Sequence, residues 1–225
     1  ELQALHKDIL INVTAFFRDP DVYETLSREV FPIILKDRQD SQPVRVWVPG
    51  CATGEEAYSI AMCLVECSTL TSESQPEIQI FATDVSESAI EKARVGIYAS
   101  NIEDAVSAKR LLRFFSKVGD RYQVCESLRE MCVFARQDVT RDPPFSRLDL
   151  ISCRNTLIYL QPNLQRKVLL AFHYALQPLR FLVIGPAEAP TPMFKAIHRD
   201  QRIYVRGDIG SERTADFVRA QGSET

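Results

Sequence analysis

The stretch Val44-Arg-Val-Trp-Val48-Pro49-Gly50-Cys51-Ala52-Thr53-Gly54-Glu55-Glu56 decides the fold. Val44 to Val48 reads as a strand, and it runs directly into a glycine loop. A helical period takes over from Glu55 to about Cys67. Thr53 and Glu56 have the spacing of a capping box, which predicts that the helix starts where the loop ends. Strand, tight loop and helix make the opening of an α/β unit. A second unit follows, because Ile78 to Ala82 reads as a strand ending at Thr83-Asp84, with Ser86 placed to cap a helix through Arg94.

Upstream, Leu2 to Ile11 reads as helical. Asp19-Pro20 then offers an N-cap and a first-turn proline to a helix whose stripe is Val22, Leu26, Val30 and Ile33-Ile34, ending at about Leu35. Downstream, Ser107 to Phe115 reads as helical. Lys117 to Cys125 has the form of a hairpin turning at Gly119-Asp120 and interrupts the alternation, so it is taken as an inserted β element spanning about 113–131. The alternation resumes with strands at Cys132 to Ala135 and Leu148 to Cys153, a helix from Pro162 to about Leu176, and a strand at Phe181 to Ile184. Ile203 to Val205 would close a final hairpin.

The predicted fold is α/β: a doubly wound, mostly parallel sheet with an antiparallel edge and a small inserted β subdomain. The expected organisation is a helical segment at 1–35, the α/β domain at 36–206 and a polar, mobile tail at 207–225. Sheets of this kind bind ligands beyond the carboxyl ends of their strands. The loops after Val48, Ala82, Ala135 and Cys153 should therefore surround a site.

Composition narrows the classes. The chain has 225 residues, 45% hydrophobic and 25% charged, with 12 Pro and 8 Gly, which suits a globular domain with a substantial core and excludes disordered and collagen-like chains. Lys plus Arg number 27 against 30 for Asp plus Glu, a net charge of −3, so there is no electrostatic case for nucleic acid as the main partner. No apolar run approaches the roughly 20 residues of a membrane helix, and Glu1 to Leu10 is unlike a signal peptide, so no membrane insertion and a cytoplasmic setting are expected. The six cysteines contain no C-x-x-C and lie far in sequence from His6, His173 and His198, so no metal site is expected.

Within this frame the loop Gly50-Cys51-Ala52-Thr53-Gly54 would let backbone approach a ligand, with the helix N–H groups after it facing an anion. Asp84, at the end of the second strand, can accept hydrogen bonds from two ribose hydroxyls, or serve as a turn or cap. Arg154 and Asn155 follow a fully apolar strand and read either as rim residues or as structural hydrogen-bonders.

These motifs carry a family likeness. V-W-V-P-G-C-A-T-G-E-E-A-Y-S (Val46 to Ser59), F-A-T-D (Phe81 to Asp84) and A-R-V-G-I-Y (Ala93 to Tyr98) resemble the S-adenosylmethionine-dependent chemotaxis receptor methyltransferases of the CheR type. N-V-T-A-F-F-R-D (Asn12 to Asp19) and D-P-P-F-S-R-L-D-L-I-S-C-R-N-T-L-I-Y-L (Asp142 to Leu160) extend the resemblance in the family's order over most of Asn12 to Arg206. It implies a class I methyltransferase fold and transfer of the sulfonium methyl of S-adenosylmethionine to a glutamate of a methyl-accepting chemoreceptor.

The same resemblance implies that Gly50 to Glu56 hold the amino-acid end of that ligand, Asp84 its ribose, and Asp138-Val139 its adenine. Arg154 and Asn155 would complete the binding set. Glu55 could face the ligand's ammonium while Glu56 serves the capping box. Arg18 and Tyr159 would be catalytic: Arg18 pairs with a carboxylate of ligand or substrate, and Tyr159 orients the substrate carboxylate or lines the methyl site.

The likeness extends to versions fused to methylesterase, PAS or kinase modules, so further fused signalling modules are expected. A non-catalytic S-adenosylmethionine-binding or scaffolding module is the rival function. Two departures from the family stand out, Pro178-Leu179-Arg180 in place of a glycine pair and Gly185-Pro186-Ala187-Glu188 in place of a G-x-S-E end.

Overall fold

The computed structural model describes residues 14–36, 42–71, 76–188 and 192–207. The predicted helix at Leu2 to Ile11 and the tail beyond Gly207 lie outside the described residues. Strands β1 (Val44–Pro49), β2 (Ile78–Asp84), β6 (Cys132–Arg136), β7 (Leu148–Cys153), β8 (Leu176–Ile184), β9 (Phe194–His198) and β10 (Ile203–Arg206) form one sheet in the order β6-β2-β1-β7-β8-β10-β9. The pairs β6·β2, β2·β1, β1·β7 and β7·β8 are parallel, and β10 is antiparallel to both β8 and β9. This is the expected doubly wound sheet with its antiparallel edge. Sequential order reverses between β1 and β7, the switch point where such sheets place a ligand.

Period-2 alternation explains why two cores form. Val44, Val46, Val48, Leu150, Phe181 and Val183 point into one apolar cluster, whereas Trp47, Ile151, Leu182 and Ile184 point into the other. Helix α3 (Glu55–Thr71) covers the first face with Tyr58, Ile60, Ala61, Met62 and Leu64, all fully buried. Helix α7 (Pro162–Ala175) covers the second with Val168, Leu169 and Phe172. The sole tryptophan, Trp47, lies edge-on to Phe145 and Phe172 at 5.5 and 5.3 Å, and its Nε1–H donates to Thr83 Oγ1 at 3.0 Å.

Pro20 opens helix α1 (Pro20–Thr25), which passes through a π-helical turn (Leu26–Val30) into α2 (Phe31–Lys36). Asp19 is the N-cap by position, but its side chain makes no cap hydrogen bond: it is turned to Arg154 instead. The capping box fails for a similar reason. Thr53 Oγ1 donates to the Glu55 carboxylate at 2.8 and 2.7 Å, and Glu56 accepts from Ser152 Oγ at 2.6 Å, so neither side chain reaches back to cap the helix. Ser86 does cap helix α4 (Glu87–Val95), accepting from the N–H of Ala89.

The predicted hairpin is present as β4 (Phe115–Val118) and β5 (Arg121–Val124), after helix α5 (Ala108–Phe114) and before α6 (Glu126–Met131). A strand that the sequence reading does not name, β3 (Ile97–Ala99), joins them in a second sheet of order β3-β5-β4. That sheet steadies the site side of the molecule. Tyr98 packs edge-on to Phe16 at 4.8 Å and donates its hydroxyl proton to the Thr53 carbonyl at 2.7 Å, so β3 holds both the entry segment and the glycine loop.

The first departure from the family pattern is absorbed locally. Register jumps from Leu148↔Leu176 to Leu150↔Phe181, and Leu179 takes φ +59°, so Gln177 to Arg180 bulge from β8. Arg180 uses the bulge to reach the buried carboxylate of Asp149 at 3.2 Å.

Phe172 supports Trp47 from the second core, so Phe172→Ala should lower unfolding free energy by about 3–5 kcal/mol. Urea titration followed by Trp47 emission measures this, and a loss below about 1 kcal/mol would contradict the packing described.

Candidate functional site

A cavity of about 530 Å³ opens at the carboxyl ends of β1, β2, β6 and β7. Its walls come from all four loops expected to surround a site, together with Thr14, Ala15 and Arg18 of the entry segment. The volume is that of an ordinary small-molecule pocket.

The glycine loop folds back on the end of β2. The N–H groups of Gly50 and Cys51 donate to the Thr83 carbonyl at 2.7 and 3.0 Å, and that of Ala52 donates to Asp84 Oδ2 at 2.9 Å. Asp84 Oδ1 accepts from the Ser86 N–H at 2.8 Å, so the residue is a turn former and still lines the cavity. Each carboxylate oxygen keeps acceptor capacity for a ligand hydroxyl. Gly50 has φ +71°, and a Cβ there would stand 2.2 Å from Thr156 Oγ1, which is how the loop and the β7 turn approach each other.

Glu55 and Glu56 part company. The Glu55 carboxylate is taken up by Thr53 and does not line the cavity; nor do Thr53 and Gly54, which stand behind the wall formed by Gly50, Cys51 and Ala52. Glu56 lines the cavity floor. Burial pushes the Glu56 carboxyl above the usual range, against the opposing pull of the Arg154 guanidinium and the Ser152 hydroxyl. A cationic ligand group beside Glu56 would favour its charged form.

Arg154 is a buried cation with its side chain only 3% exposed. Its Nη2 donates to the Arg18 carbonyl at 2.8 Å and to Asp19 Oδ2 at 2.5 Å, and its Nη1 donates to the Tyr23 hydroxyl at 3.4 Å. Arg154 therefore lines the cavity and at the same time makes structural hydrogen bonds to the entry turn and α1. Arg18, exposed at the cavity edge, is flanked by Phe17 at φ +51° and Asp19 at φ +58°. Asn155, at φ +57°, lines the wall, and Tyr159 stands 58% exposed at the rim.

Asp138 and Val139 also line the cavity. Asp138 accepts from the Thr140 N–H and hydroxyl at 2.9 and 2.6 Å. Burial raises its carboxyl, but these bonds outweigh it, so the group lies below the usual carboxylate range. Of the predicted site residues, Arg18, Tyr159, Gly50, Cys51, Ala52, Glu56, Asp84, Asp138, Val139, Arg154 and Asn155 thus converge on one cavity, and Thr53, Gly54 and Glu55 do not reach it.

Sequence reading misses Gln137, Thr140 and Ile158 on the wall and Ser152 beneath it. The strand-end rule points to the loops of the first three; nothing in the sequence marks Ser152, which lies inside a buried strand. Among the described residues, no group of three or more His, Cys, Asp or Glu could hold a metal ion, and no helix is long and apolar enough to cross a membrane.

Residues 12–201 match the family described as CheR methyltransferase, SAM binding domain. The chain is similar to an uncharacterized 104.1 kDa protein in hypE 3'region of Rhodobacter capsulatus, 41% identical over 189 residues, which cover 84% of this chain and 20% of that protein. It is similar to a putative methyltransferase Cher3 of Pseudomonas putida, 32% identical over 209 residues, 87% of this chain and 73% of the other. A chemotaxis protein methyltransferase of Listeria monocytogenes is 33% identical over 180 residues, 80% of this chain and 66% of that protein. The chain thus spans a fifth of the length of the first relative and two thirds to three quarters of the other two. On this match and these identities the chain belongs to the CheR methyltransferase family, and what it folds is that family's S-adenosylmethionine-binding domain.

Proposed function

We propose that the chain transfers a methyl group from S-adenosylmethionine to a glutamate side chain of a methyl-accepting chemoreceptor in the cytoplasm, giving the glutamate methyl ester and S-adenosylhomocysteine. The observation that carries this reading is the set of groups brought to one cavity: the half-buried Asp84 and Glu56 on its wall, Arg154 held there by its own partners, and the exposed Arg18 and Tyr159 at its edge. The receptor substrate is supported by the relatives named chemotaxis protein methyltransferase. The R. capsulatus relative, five times the length of the matched region, supports action as one module of a larger signalling protein.

The donor set fits the nucleotide-like methyl donor, whose sulfonium supplies an electrophilic methyl when bound. Asp84 takes the ribose hydroxyls, Glu56 the ammonium, and the Asp138-Val139 segment borders the adenine, with Arg154 and Asn155 shaping the wall between them. A substrate glutamate with a pKa near ~4.3 is ionised at neutral pH, so its carboxylate attacks without a general base. The residues at the rim therefore act by orientation. Arg18 presents a planar guanidinium suited to pair with the incoming carboxylate, and Tyr159 holds that carboxylate in line with the methyl at about 3 Å, where proximity and alignment supply the rate. Radiolabelled methyl transfer into chemoreceptor-containing membranes, with base-labile release of the label, tests the reaction; tight binding without transfer would favour the scaffolding alternative.

Asp84→Ala should weaken S-adenosylhomocysteine binding by about 1.5–3 kcal/mol, ten- to a hundredfold. Calorimetry showing unchanged affinity in a folded variant would remove Asp84 from the ribose. The two neighbouring acids should separate cleanly: Glu56→Gln is expected to weaken the same ligand about tenfold or more, and Glu55→Gln less than about threefold. The reverse ranking would return the ammonium to Glu55. Tyr159→Phe should lower turnover far more than ligand affinity, as for a contact made mainly in the transition state, and equal losses in both would contradict its role.

A further inference from the structure

We propose that Glu188 is a positioning residue for methyl transfer, its buried carboxyl group fixing the short turn Leu157–Tyr159 so that Tyr159 is held at the cavity rim. The inference rests on the proposed function for the reaction it assists, but its structural half stands on its own geometry.

Glu188 is 4% exposed and does not line the cavity, so it touches neither ligand nor substrate. Its Oε1 accepts from the Leu157 N–H at 2.6 Å, and its Oε2 accepts from the Gly185 N–H. Burial raises the Glu188 carboxyl above the usual range, against the opposing pull of the backbone N–H groups around it. Two backbone donors from separate segments thus meet on one carboxyl group.

Besides Glu188, the Gln165 amide braces the turn from the other end, donating to the Leu157 and Leu160 carbonyls at 3.0 Å each. Asn155 is left-handed at φ +57°, and the short 3₁₀ segment Leu157–Tyr159 has no side-chain cap from Thr156. Within the turn, Tyr159 N–H reaches the Thr156 carbonyl at a long 3.3 Å and Leu160 N–H the Leu157 carbonyl at 2.9 Å. The buried Leu157 N–H therefore depends on Glu188 for its acceptor, and an unsatisfied buried donor is costly. Glycine at 185 permits the contact: a Cβ there would lie 2.8 Å from the Asn155 nitrogen and 3.0 Å from Glu188 Oε2. In the sequence Gly185-Pro186-Ala187-Glu188, the two positions this geometry uses are the two retained from the family's G-x-S-E end.

The charge of Glu188 also raises the Glu56 carboxyl, so neutralising Glu188 does not oppose a cation at Glu56. Loss of the carboxylate should then affect alignment at Tyr159 rather than ligand binding, and a general packing defect would not produce that split.

The test compares Glu188→Gln and Glu188→Asp with the unaltered chain, by calorimetry with S-adenosylhomocysteine, by kcat and KM for methylation of chemoreceptor-containing membranes, and by amide hydrogen exchange. Glu188→Gln keeps the volume but loses one acceptor oxygen and the charge. It should retain ligand affinity within about threefold, lose about ten- to a hundredfold in kcat, and speed exchange at Leu157 and Gly185 while other protected amides stay unchanged. If that variant does not fold, Glu188→Asp, which keeps the charge at a shorter reach, should show the same pattern in smaller measure. Unchanged exchange in the turn, unchanged kcat, or a parallel fall in affinity and kcat would each overturn the proposal. Should the unaltered chain bind ligand but transfer no methyl, the proposed function fails, and exchange at Leu157 and Gly185 still decides whether Glu188 clamps the turn.

Discussion

A guanidinium taken out of water must be compensated on all sides, and the arrangement around Arg154 follows from that requirement. Its partners come from the entry turn (the Arg18 carbonyl and the Asp19 carboxylate) and from the first described helix (the Tyr23 hydroxyl), and the Glu56 charge adds the start of α3. One buried cation at the end of β7 therefore joins elements more than 130 residues apart in the chain. Removing one of these partners leaves the buried guanidinium less fully compensated, a cost that bears directly on the stability of a domain. The entry segment that carries Arg18 is thereby part of the site, not a flexible preface to it.

The same requirement shows which parts of the molecule were legible in the sequence. Strands β1, β2, β6 and β7 and their order around a glycine loop follow from hydrophobic period and punctuation, which are local signals. So do Asp84 at a strand end and Ser86 as a cap. What the sequence did not convey is where a side chain turns when two partners compete for it. Asp19 and Glu56 have the spacing of caps, yet a buried arginine and a buried serine claim them. Strand β3 is three residues long, too short to show a period, and exists because β5 pairs with it. Glu188 carries no motif beyond a weak four-residue likeness; its role depends on a turn some thirty residues earlier in the chain.

The electrostatics of the cavity give the proposed reaction a direction. The half-buried Glu56 and Asp84 stand on the wall, where a cationic ligand end would settle beside the already compensated Arg154, and the exposed Arg18 lies at the edge, where an anionic acceptor would arrive. With no proton to remove, catalysis on this reading is a matter of holding three atoms in line. That places the demand on the rigidity of the rim, and so on the hydrogen bonds beneath it more than on any reactive side chain.

Phe17, Asp19, Ala52 and Asn155 all have left-handed backbone, none is glycine, and all belong to the entry segment or the two turns at the cavity. Such conformations cost of order 1–3 kcal/mol each and persist only where the surroundings over-determine them. Part of the domain's backbone tension therefore lies where it works, with Arg147, Leu179 and Arg202 carrying the same conformation elsewhere, and selection for heat resistance would meet selection for turnover at the positions by the cavity. Glycine at Ala52 would relax the chain while loosening the frame of the site, whereas at Phe17 or Asp19 it would also remove a core ring or the carboxylate on Arg154. The four residues mark the boundary that an engineer seeking a hardier version of this domain should leave uncrossed.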